Sequence, residues 1–380
     1  MSHPTSIRYL RDYIAIPSVN PMGRSDIPQA LAGEQRYADH LLHQLKQMGL
    51  DAICVGDKER PSVIAHATVP GAKETLLIAS HLDTVPVDNM KIDPFDPQVN
   101  SGRIYGRGAC DTKAGMAALV AALEPLLKNG TLACNLILVG ESDEELASIG
   151  VTDVLKHLGK HKPDWAIATE PTGLQVITQH KGVALAELRA QGRSAHSSRP
   201  KDGENAIIAL AHAAIALQEL GTQLESRPHP ELGPGTCSIG LIQGGHAANI
   251  VPNEAHLTMD RRLLPGEDEI SFRAELEMTL HENNIAGVEI TECRVEKPAL
   301  HTSHDHPCVK RCLHELSEAK LPDEPGAAAF GTDAGVLSKH GIPSVVWGPG
   351  SIAQAHTERE FIDQDQVEAM TSLFSGLLSR

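Results

Sequence analysis

Residues 75–88 read TLLIASHLDTVPVD, an apolar run that ends in a histidine and an aspartate two positions apart. Residues 75–80 are short, apolar and β-branched or small, which predicts a buried β-strand. Residues two apart on a strand point to the same side, so His81 and Asp83 are expected to share one environment. A pattern this short has two interpretations, a metal site or two polar residues where a strand meets solvent, and it does not decide between them.

Helical and strand patterns alternate on both sides of this run. The predicted helices carry apolar residues at three- and four-residue spacing and cover residues 26–50, 112–130 and 148–160. The predicted strands are short runs of apolar or β-branched residues and cover residues 61–69, 75–80, 134–140 and 165–169. This alternation predicts a largely buried sheet with helices on its faces.

The pattern changes near residue 178. From there to residue 297 the predicted order is strand, helix, strand, strand, helix and strand, which matches the split βαβ, ferredoxin-like unit. Beyond residue 297 single helices and a strand return. The predicted fold class is therefore α/β. A discontinuous larger domain, residues 1–177 and 298–380, has a mixed sheet flanked by helices, and a ferredoxin-like α+β domain, residues 178–297, is inserted into it.

Composition and charge exclude several classes of function. The chain has 380 residues, of which 3% are aromatic, and its formal net charge is −16. Nucleic acids and membrane surfaces need a basic protein face, so neither is expected as a partner. The seven cysteines form no CxxC pair, which indicates reduced thiols. We recognise no signal peptide and no apolar run near the ~20 residues of a membrane span, so a cytoplasmic location is expected.

Further acidic and imidazole side chains follow predicted strands or loops. They are Asp111 after GRGAC, Asp143, Glu144 and Glu145 after a strand, Glu170 after the next strand, and His356 after a glycine-rich loop. Each has a structural alternative: Asp111 could be a helix N-cap, and the acidic run could be a solvated loop. Ligands of open α/β sheets bind at the carboxyl ends of strands, where these groups converge. Together they predict a metal site, with two metal ions.

The ordered motifs HLD, GRGACDTKAG, DEE, EPT, AHS and AHT resemble those of the zinc-dependent aminoacylase and carboxypeptidase-type amidohydrolases. The resemblance covers essentially the whole chain and is strongest to the branch of acetylornithine deacetylase and succinyl-diaminopimelate desuccinylase. It implies that the larger domain is catalytic and holds two divalent metal ions, zinc first, with cobalt or manganese as alternatives. It also implies that the inserted domain is a lid and dimerisation domain, and hence that the protein is a homodimer.

The same resemblance implies the ligands of the two ions. Asp111 would bridge them. His81 and Glu170 would complete one site. Glu145 and His356 would complete the other. A cis peptide bond is expected directly after Asp111.

The resemblance also implies roles beyond metal binding. Glu144 would be the general base, and Asp83 would orient His81 without binding metal. His196 of the inserted domain would reach the site of a partner subunit and stabilise the oxyanion, although a plain loop histidine is the alternative. The groups implied to bind the substrate carboxylate are Asn249, Arg262 and the main chain around Gly350. For Arg262 a surface charge at a strand end is the alternative.

These roles imply a metal-dependent amidohydrolase whose substrate is a small N-acyl amino acid. The leading substrate is N-acetylornithine, cleaved to ornithine and acetate. N-succinyl-diaminopimelate and a dipeptide or other C-terminal peptide bond are the alternatives. Residues 146–151, LASIGV, stand where many relatives have a glycine-rich stretch, so the acyl preference stays open.

Two hypotheses from other classes compete with metal-dependent hydrolysis. A non-catalytic metal-binding interaction protein could share this fold, but all five ligand positions and Glu144 hold chemically competent residues. A cysteine hydrolase could use Cys110 as its nucleophile, but the sequence pairs no histidine with it, and packing usually explains such a residue. Metal-dependent hydrolysis is therefore the prediction.

Overall fold

The structure is a computed structural model that describes residues 4–160 and 162–379. Its contacts group the chain into two units. The larger comprises Met1–Thr178, Thr302–Gly326 and Thr332–Arg380, and the smaller comprises Gln179–His301 and Ala327–Gly331. The boundaries expected from the sequence, after residues 177 and 297, lie near these. Residues 327–331 differ, because the sequence places them in the larger domain and the contacts group them with the smaller unit.

Helices and strands alternate along the described residues. The helices are α1 (Thr5–Ile14), α2 (Gln35–Gln47), α3 (Lys113–Asn129), α4 (Ile149–Leu158), α5 (Ala206–Leu224), α6 (Glu269–Glu282), α7 (Pro307–Glu318), α8 (Asp333–Lys339) and α9 (Gln364–Leu378). The strands are β1 (Asp51–Gly56), β2 (Pro61–Ala67), β3 (Thr75–His81), β4 (Gln98–Asn100), β5 (Arg103–Tyr105), β6 (Asn135–Glu141), β7 (Trp165–Ala168), β8 (Ile177–His180), β9 (Gly182–Gln191), β10 (Thr236–Gly244), β11 (Glu254–Leu263), β12 (Val288–Lys297), β13 (Leu300–His301), β14 (Gly326–Ala328), β15 (Ser344–Val346) and β16 (Phe361–Asp363).

The main sheet of the larger unit is mixed, as the sequence predicts. Its strands follow the order β1, β2, β6, β3, β7, β15 and β8. β3 pairs in parallel with both β6 and β7, whereas β2 pairs antiparallel with β1 and β6. The parallel register places His81 opposite Glu141, so the carboxyl ends of these strands lie at one edge of the sheet. The predicted α/β fold class is confirmed.

Apolar side chains on both faces of β3 explain why its sequence does not alternate with polar residues. Leu76 and Ile78 join the core formed with α1, α3 and α9. Leu77 and Ala79 point to the opposite face and join the core formed with α4 and α8. Successive side chains of a strand point to opposite faces, so a sheet covered on both sides requires a continuous apolar run.

The predicted helix over residues 26–50 is wrong at its start, because α2 begins only at Gln35. Pro28 cannot donate a main-chain hydrogen bond within a helix. Gly33 has a φ of 81°, a left-handed conformation that ends or excludes helical backbone. The small sheet of β16, β5 and β4 was not predicted, because each strand has only three residues.

The smaller unit has the predicted order of strand, helix, strand, strand, helix and strand, in β9, α5, β10, β11, α6 and β12. Its antiparallel sheet has the order β10, β11, β9 and β12, which leaves β10 at one edge. Both helices bury apolar side chains in one core, including Leu210 and Leu217 of α5 and Phe272 and Leu276 of α6. The ferredoxin-like arrangement is therefore confirmed.

α5 is also the one helix in the described ranges that is long and apolar enough to cross a membrane, judged by length and composition alone. No apolar run of this length was expected from the sequence, so α5, with 19 residues, departs from that expectation. Its core side carries Leu210 and Leu217, while Ile208 and Ile215 add apolar residues on its exposed side. A single helix of this kind is weak evidence for a membrane span, because core helices pass the same test.

Candidate metal centre

Asp111 lies between two histidine side chains. Its Oδ1 is 3.0 Å from Nε2 of His81, and its Oδ2 is 3.3 Å from Nε2 of His356. His81 ends β3, Asp111 lies in the loop before α3, and His356 lies in the loop after β15. Each carboxylate oxygen of Asp111 therefore faces a different imidazole. A carboxylate that bridges two cations has the same arrangement.

Three glutamates complete the cluster. Oε2 of Glu145 is 3.1 Å from Nε2 of His356, and Oε2 of Glu170 is 3.9 Å from Nε2 of His81. Ligand atoms lie within 4.8 Å of one another in two groups, which are His81, Asp111 and Glu145, and His81, Glu144 and Glu170. The larger unit thus brings together all the side chains expected to hold metal, and Glu144 with them.

Most of this cluster is withdrawn from solvent. His81, Asp111, Glu144 and Glu170 are buried, whereas the side chain of His356 is 52% exposed. The cluster therefore opens to solvent beside His356. Imidazole nitrogens and carboxylate oxygens are the donors that zinc and similar divalent ions take, so the residues present fit such ions.

The electrostatics of the cluster favour a bound cation. Burial lowers the pKa of His81, but its contacts with Asp111 and Asp83 outweigh burial and hold that pKa well above its usual value. Asp111 and Glu145 raise the pKa of His356 to about 10. Burial, followed by the charge of Asp111, raises the pKa of Glu145 to about 7. These shifts all follow from an excess of carboxylates in a small buried volume.

Asp83 contacts His81 through its main chain. Nδ1 of His81 lies 2.9 Å from the carbonyl oxygen of Asp83 and 3.6 Å from its carboxylate. An Nδ1–H that donates to this carbonyl leaves Nε2 as the nitrogen that faces Asp111. The Asp83 carboxylate instead accepts hydrogen bonds from the main-chain N–H groups of Glu144 (3.2 Å) and Glu145 (3.1 Å). Asp83 therefore positions the glutamate pair as well as the imidazole.

The run Asp143-Glu144-Glu145 is stabilised by residues that the sequence analysis missed. Asp143 has a left-handed φ of 61°, and its Oδ1 is 2.8 Å from Nη1 of Arg60. Arg60 also donates two hydrogen bonds to the buried carboxylate of Glu34, at 2.6 and 2.9 Å. Nδ2 of Asn20 donates to both Asp83 (2.8 Å) and Asp143 (3.0 Å). The positive charge of Arg60 thus offsets the negative charge of Asp143.

Two expectations about the loop before α3 can be compared with the structure. The peptide bond between Asp111 and Thr112 is cis, which confirms what the resemblance implies. The Sγ of the buried Cys110 donates to the carbonyl oxygen of Ser351 (3.3 Å), and burial raises the pKa of its thiol well above the usual value. A thiol held in its neutral form is a poor nucleophile, which argues against a cysteine hydrolase.

Three residues expected to contact substrate lie in the smaller unit. His196 is exposed, and the N–H of the next residue donates to the carbonyl oxygen of Asn249 (3.1 Å), so these two residues lie on adjacent segments. Nε of Arg262 donates to the carboxylate of Asp260 (2.9 Å). Gly350 belongs to the larger unit, and its N–H donates to Oε1 of Gln366 (2.7 Å), so that N–H is already used.

Comparisons with known proteins give the family to which the chain is similar. The family model of peptidase family M20/M25/M40 matches residues 77–380. An acetylornithine deacetylase of Proteus mirabilis (strain HI4320) is 30% identical over 390 residues, which cover 99% of this chain and 96% of that protein. The predicted family resemblance is therefore confirmed.

Solved structures of the same family have the same fold. An M20 family metallo-carboxypeptidase from Sulfolobus solfataricus has a TM-score of 0.81 at 23% identity, with 100% of this chain and 99% of that chain covered. A dinuclear metal-binding M20 peptidase from Bacillus subtilis has a TM-score of 0.71 at 16% identity, with 98% and 96% covered. Since the family model matches most of the chain and one curated relative matches nearly all of it, the chain belongs to peptidase family M20/M25/M40, a family of metal-dependent hydrolases of amide and peptide bonds.

Proposed function

We propose that this chain deacetylates N-acetylornithine to ornithine and acetate. The observation that carries the chemistry is the buried cluster in which Asp111 lies between His81 and His356, with Glu144 and Glu145 beside it. The choice of substrate is supported by the acetylornithine deacetylase that the chain matches along nearly its whole length. N-succinyl-diaminopimelate and short peptides are alternative substrates for the same chemistry.

Two divalent ions, zinc with cobalt or manganese as alternatives, are the proposed cofactors. His81, Asp111 and Glu170 would hold one ion, and Asp111, Glu145 and His356 would hold the other. When bound, such ions polarise the substrate carbonyl and lower the pKa of water toward about 7. The carboxylates would contribute the negative charge that retains such ions.

Glu144 is the proposed general base. Its carboxylate belongs to the group of ligand atoms with His81 and Glu170, and its main-chain N–H is held by Asp83. Glu144 takes a proton from the water that attacks the amide carbon, and it returns that proton to the leaving nitrogen. The products are a carboxylic acid and a free amine.

The smaller unit supplies the proposed contacts to substrate. His196 of a partner subunit donates a hydrogen bond to the oxyanion, a kind of contact whose loss costs about 3–4 kcal/mol. Asn249 and Arg262 bind the substrate carboxylate, which a planar guanidinium can meet with two parallel N–H groups. For this, Arg262 exchanges its hydrogen bond to Asp260 for one to the substrate.

A cytoplasmic homodimer is the proposed assembly. β10 lies at the sheet edge, and its Leu241 and Ile242 are 59% and 53% exposed, while Ile208 and Ile215 of α5 are 54% and 57% exposed. A second copy would cover these apolar residues and pair the edge strand. Light scattering at micromolar concentration should give a dimer, and Leu241→Asp should give a folded monomer with little activity. A monomeric wild-type protein that is fully active contradicts both the dimer and the role of His196.

Amine release from defined substrates tests the function. Metal-stripped protein is assayed on N-acetylornithine, N-succinyl-diaminopimelate and a dipeptide panel, before and after adding zinc or cobalt. N-acetylmethionine belongs in the panel, because Leu146, which directly follows Glu145 in the sequence, and Ile149 are exposed apolar residues. We expect turnover only with metal and a strong preference for N-acetylornithine. Metal-dependent turnover that prefers another substrate overturns the assignment of N-acetylornithine. Turnover without metal overturns the metal-dependent mechanism.

A further inference from the structure

Glu360 is a fully buried carboxylate whose two oxygens each accept two hydrogen bonds. Its Oε1 accepts from the main-chain N–H groups of Cys110 (2.8 Å) and Asp111 (3.0 Å). Its Oε2 accepts from the N–H of Gly108 (3.1 Å) and from Nη1 of Arg107 (2.6 Å). The side chain is 0% exposed, so water cannot replace any of these partners. A buried carboxylate is retained only where its hydrogen bonds and charge are satisfied in this way.

The loop that contacts Glu360 is shaped so that its N–H groups converge. Gly106 and Gly108 have φ angles of 151° and 79°, which side-chain-bearing residues rarely adopt. A Cβ on Gly108 would lie 2.9 Å from the side chain of Thr84, so the loop also needs glycine for space. The N–H of Gly106 donates to the carbonyl oxygen of Glu360 (3.1 Å). Converging N–H groups form an anion site, and here Glu360 is the anion.

Glu360 connects two segments that carry proposed metal ligands. It follows His356 by four residues, and it holds the N–H of Asp111 directly. The carboxylate of Asp111 reaches toward His81 and His356 from the main chain that Glu360 fixes. A shift of that main chain would move the shared ligand relative to both imidazoles.

We infer that Glu360 is a positioning residue for the metal pair: by accepting the main-chain N–H groups of Cys110 and Asp111, it sets the distance between Asp111 and the two histidines. This inference rests on the proposed metal site. It adds a buried carboxylate that acts through the main chain of Asp111 and is not itself a proposed metal ligand. Glutamine at this position would keep the shape but would turn an NH₂ group toward main-chain donors.

Metal titration of stripped protein tests the inference. Cobalt(II) is added to the wild type, Glu360→Gln and Glu358→Gln, and the visible absorption spectrum reports affinity and coordination. Circular dichroism and thermal unfolding report the fold. Glu358 is the matched control, because it is two residues away and pairs with Lys91 at the surface. We expect about 10- to 100-fold weaker cobalt binding and an altered spectrum for Glu360→Gln, the range seen when groups that orient ligands are removed. Glu358→Gln should bind like the wild type.

Arg107→Met separates positioning from simple stabilisation. This variant loses the ion pair between Arg107 and Glu360, so it should unfold at a lower temperature. The main-chain N–H groups of Cys110 and Asp111 still donate to Glu360, so the variant should bind cobalt within about threefold of the wild type. Equal losses of affinity in Arg107→Met and Glu360→Gln overturn the inference, as does wild-type affinity in a folded Glu360→Gln.

Failure of Glu360→Gln to fold and failure of the wild type to bind cobalt have separate meanings. If Glu360→Gln does not fold, Glu360→Asp takes its place, because it keeps the charge but draws the carboxylate back. A folded Glu360→Asp with weakened cobalt binding supports the inference, and one with wild-type binding overturns it. A wild-type protein that binds no cobalt refutes the proposed metal site itself, which is a different failure from equal binding by wild type and variant.

Discussion

The carboxylate of Asp83 lies 3.1 Å from the main-chain nitrogen of Glu145 and accepts its hydrogen bond. The other oxygen of the same carboxylate accepts the N–H of Glu144 at 3.2 Å. Asp83 is fully buried, and Asn20 holds it from a third direction. One buried carboxylate therefore fixes the backbone of the proposed base and of the adjacent proposed ligand.

Asp83→Ala should lower both metal affinity and turnover by about 10- to 100-fold, because Glu144 and Glu145 lose the acceptor that orients their main chain. Asp83→Asn retains one acceptor oxygen and should lose less. Zinc affinity by calorimetry and kcat by amine release measure the two effects. Asp88→Ala is the control, since Asp88 is exposed and pairs with Arg24. Wild-type affinity and kcat in a folded Asp83→Ala would exclude this role.

Glu144→Gln should bind the same amount of metal as the wild type but lose about 10²- to 10⁴-fold in kcat, because an amide cannot accept the proton of water. Metal content by elemental analysis and kcat at saturating substrate test the two halves separately. Glu145→Gln is the comparison and should lose metal, since Glu145 is a proposed ligand. Retained turnover in Glu144→Gln would remove it from the mechanism.

The convergence of the cluster was predictable because its members follow strands of one α/β sheet. His81 ends β3, and Glu144, Glu145 and Glu170 follow its two parallel neighbours, β6 and β7. Parallel strands bring their carboxyl ends to one edge whatever their exact length, so errors of a residue or two at strand ends did not matter. The alternation of helices and strands, from which a sheet with its strand ends at one edge is expected, is a local property of the sequence.

Two of the groups that orient the cluster, Arg60 and Glu360, were not predictable, because their contacts join residues distant in the chain. Arg60 reaches Asp143, and Glu360 reaches Asp111, and neither lies in a motif that names its partner. In the sequence Arg60 is one surface-type arginine among many charges. Glu360 follows His356 closely, yet nothing local distinguishes a buried carboxylate from the exposed Glu358 nearby. Tertiary packing alone makes that distinction.

Arg60→Met should lower the free energy of unfolding by about 3 kcal/mol, because it leaves Glu34 and Asp143 buried without their cation. Urea unfolding at neutral pH measures the loss, and adding Glu34→Gln to this variant should recover part of it. Arg103→Met is the matched control. Its partner Asp363 is about half exposed, so the loss should be far smaller. Equal losses in the two variants would show that the Arg60 network contributes no more than a surface pair.

A buried histidine of the smaller unit should make stability sensitive to acid. His180 ends β8 with 0% of its surface exposed, and its Nδ1 lies 3.0 Å from the carbonyl oxygen of Lys181. Burial lowers the pKa of His180 from the usual 6.5 to about 4. The folded protein therefore keeps this imidazole neutral at a pH where the unfolded chain protonates it.

The contribution of His180 to the free energy of unfolding should be constant above pH 6.5. It should fall as the pH is lowered toward 4, because over that range only the unfolded state takes up the proton. The total loss is about 3 kcal/mol. His180→Asn keeps an N–H donor for the carbonyl of Lys181 but cannot titrate. In urea unfolding between pH 7 and 4, the wild type should lose about 3 kcal/mol more of its free energy of unfolding than His180→Asn does. His281→Asn, at an exposed position, should follow the wild type. Parallel curves for the wild type and His180→Asn would show that His180 is protonated equally in both states.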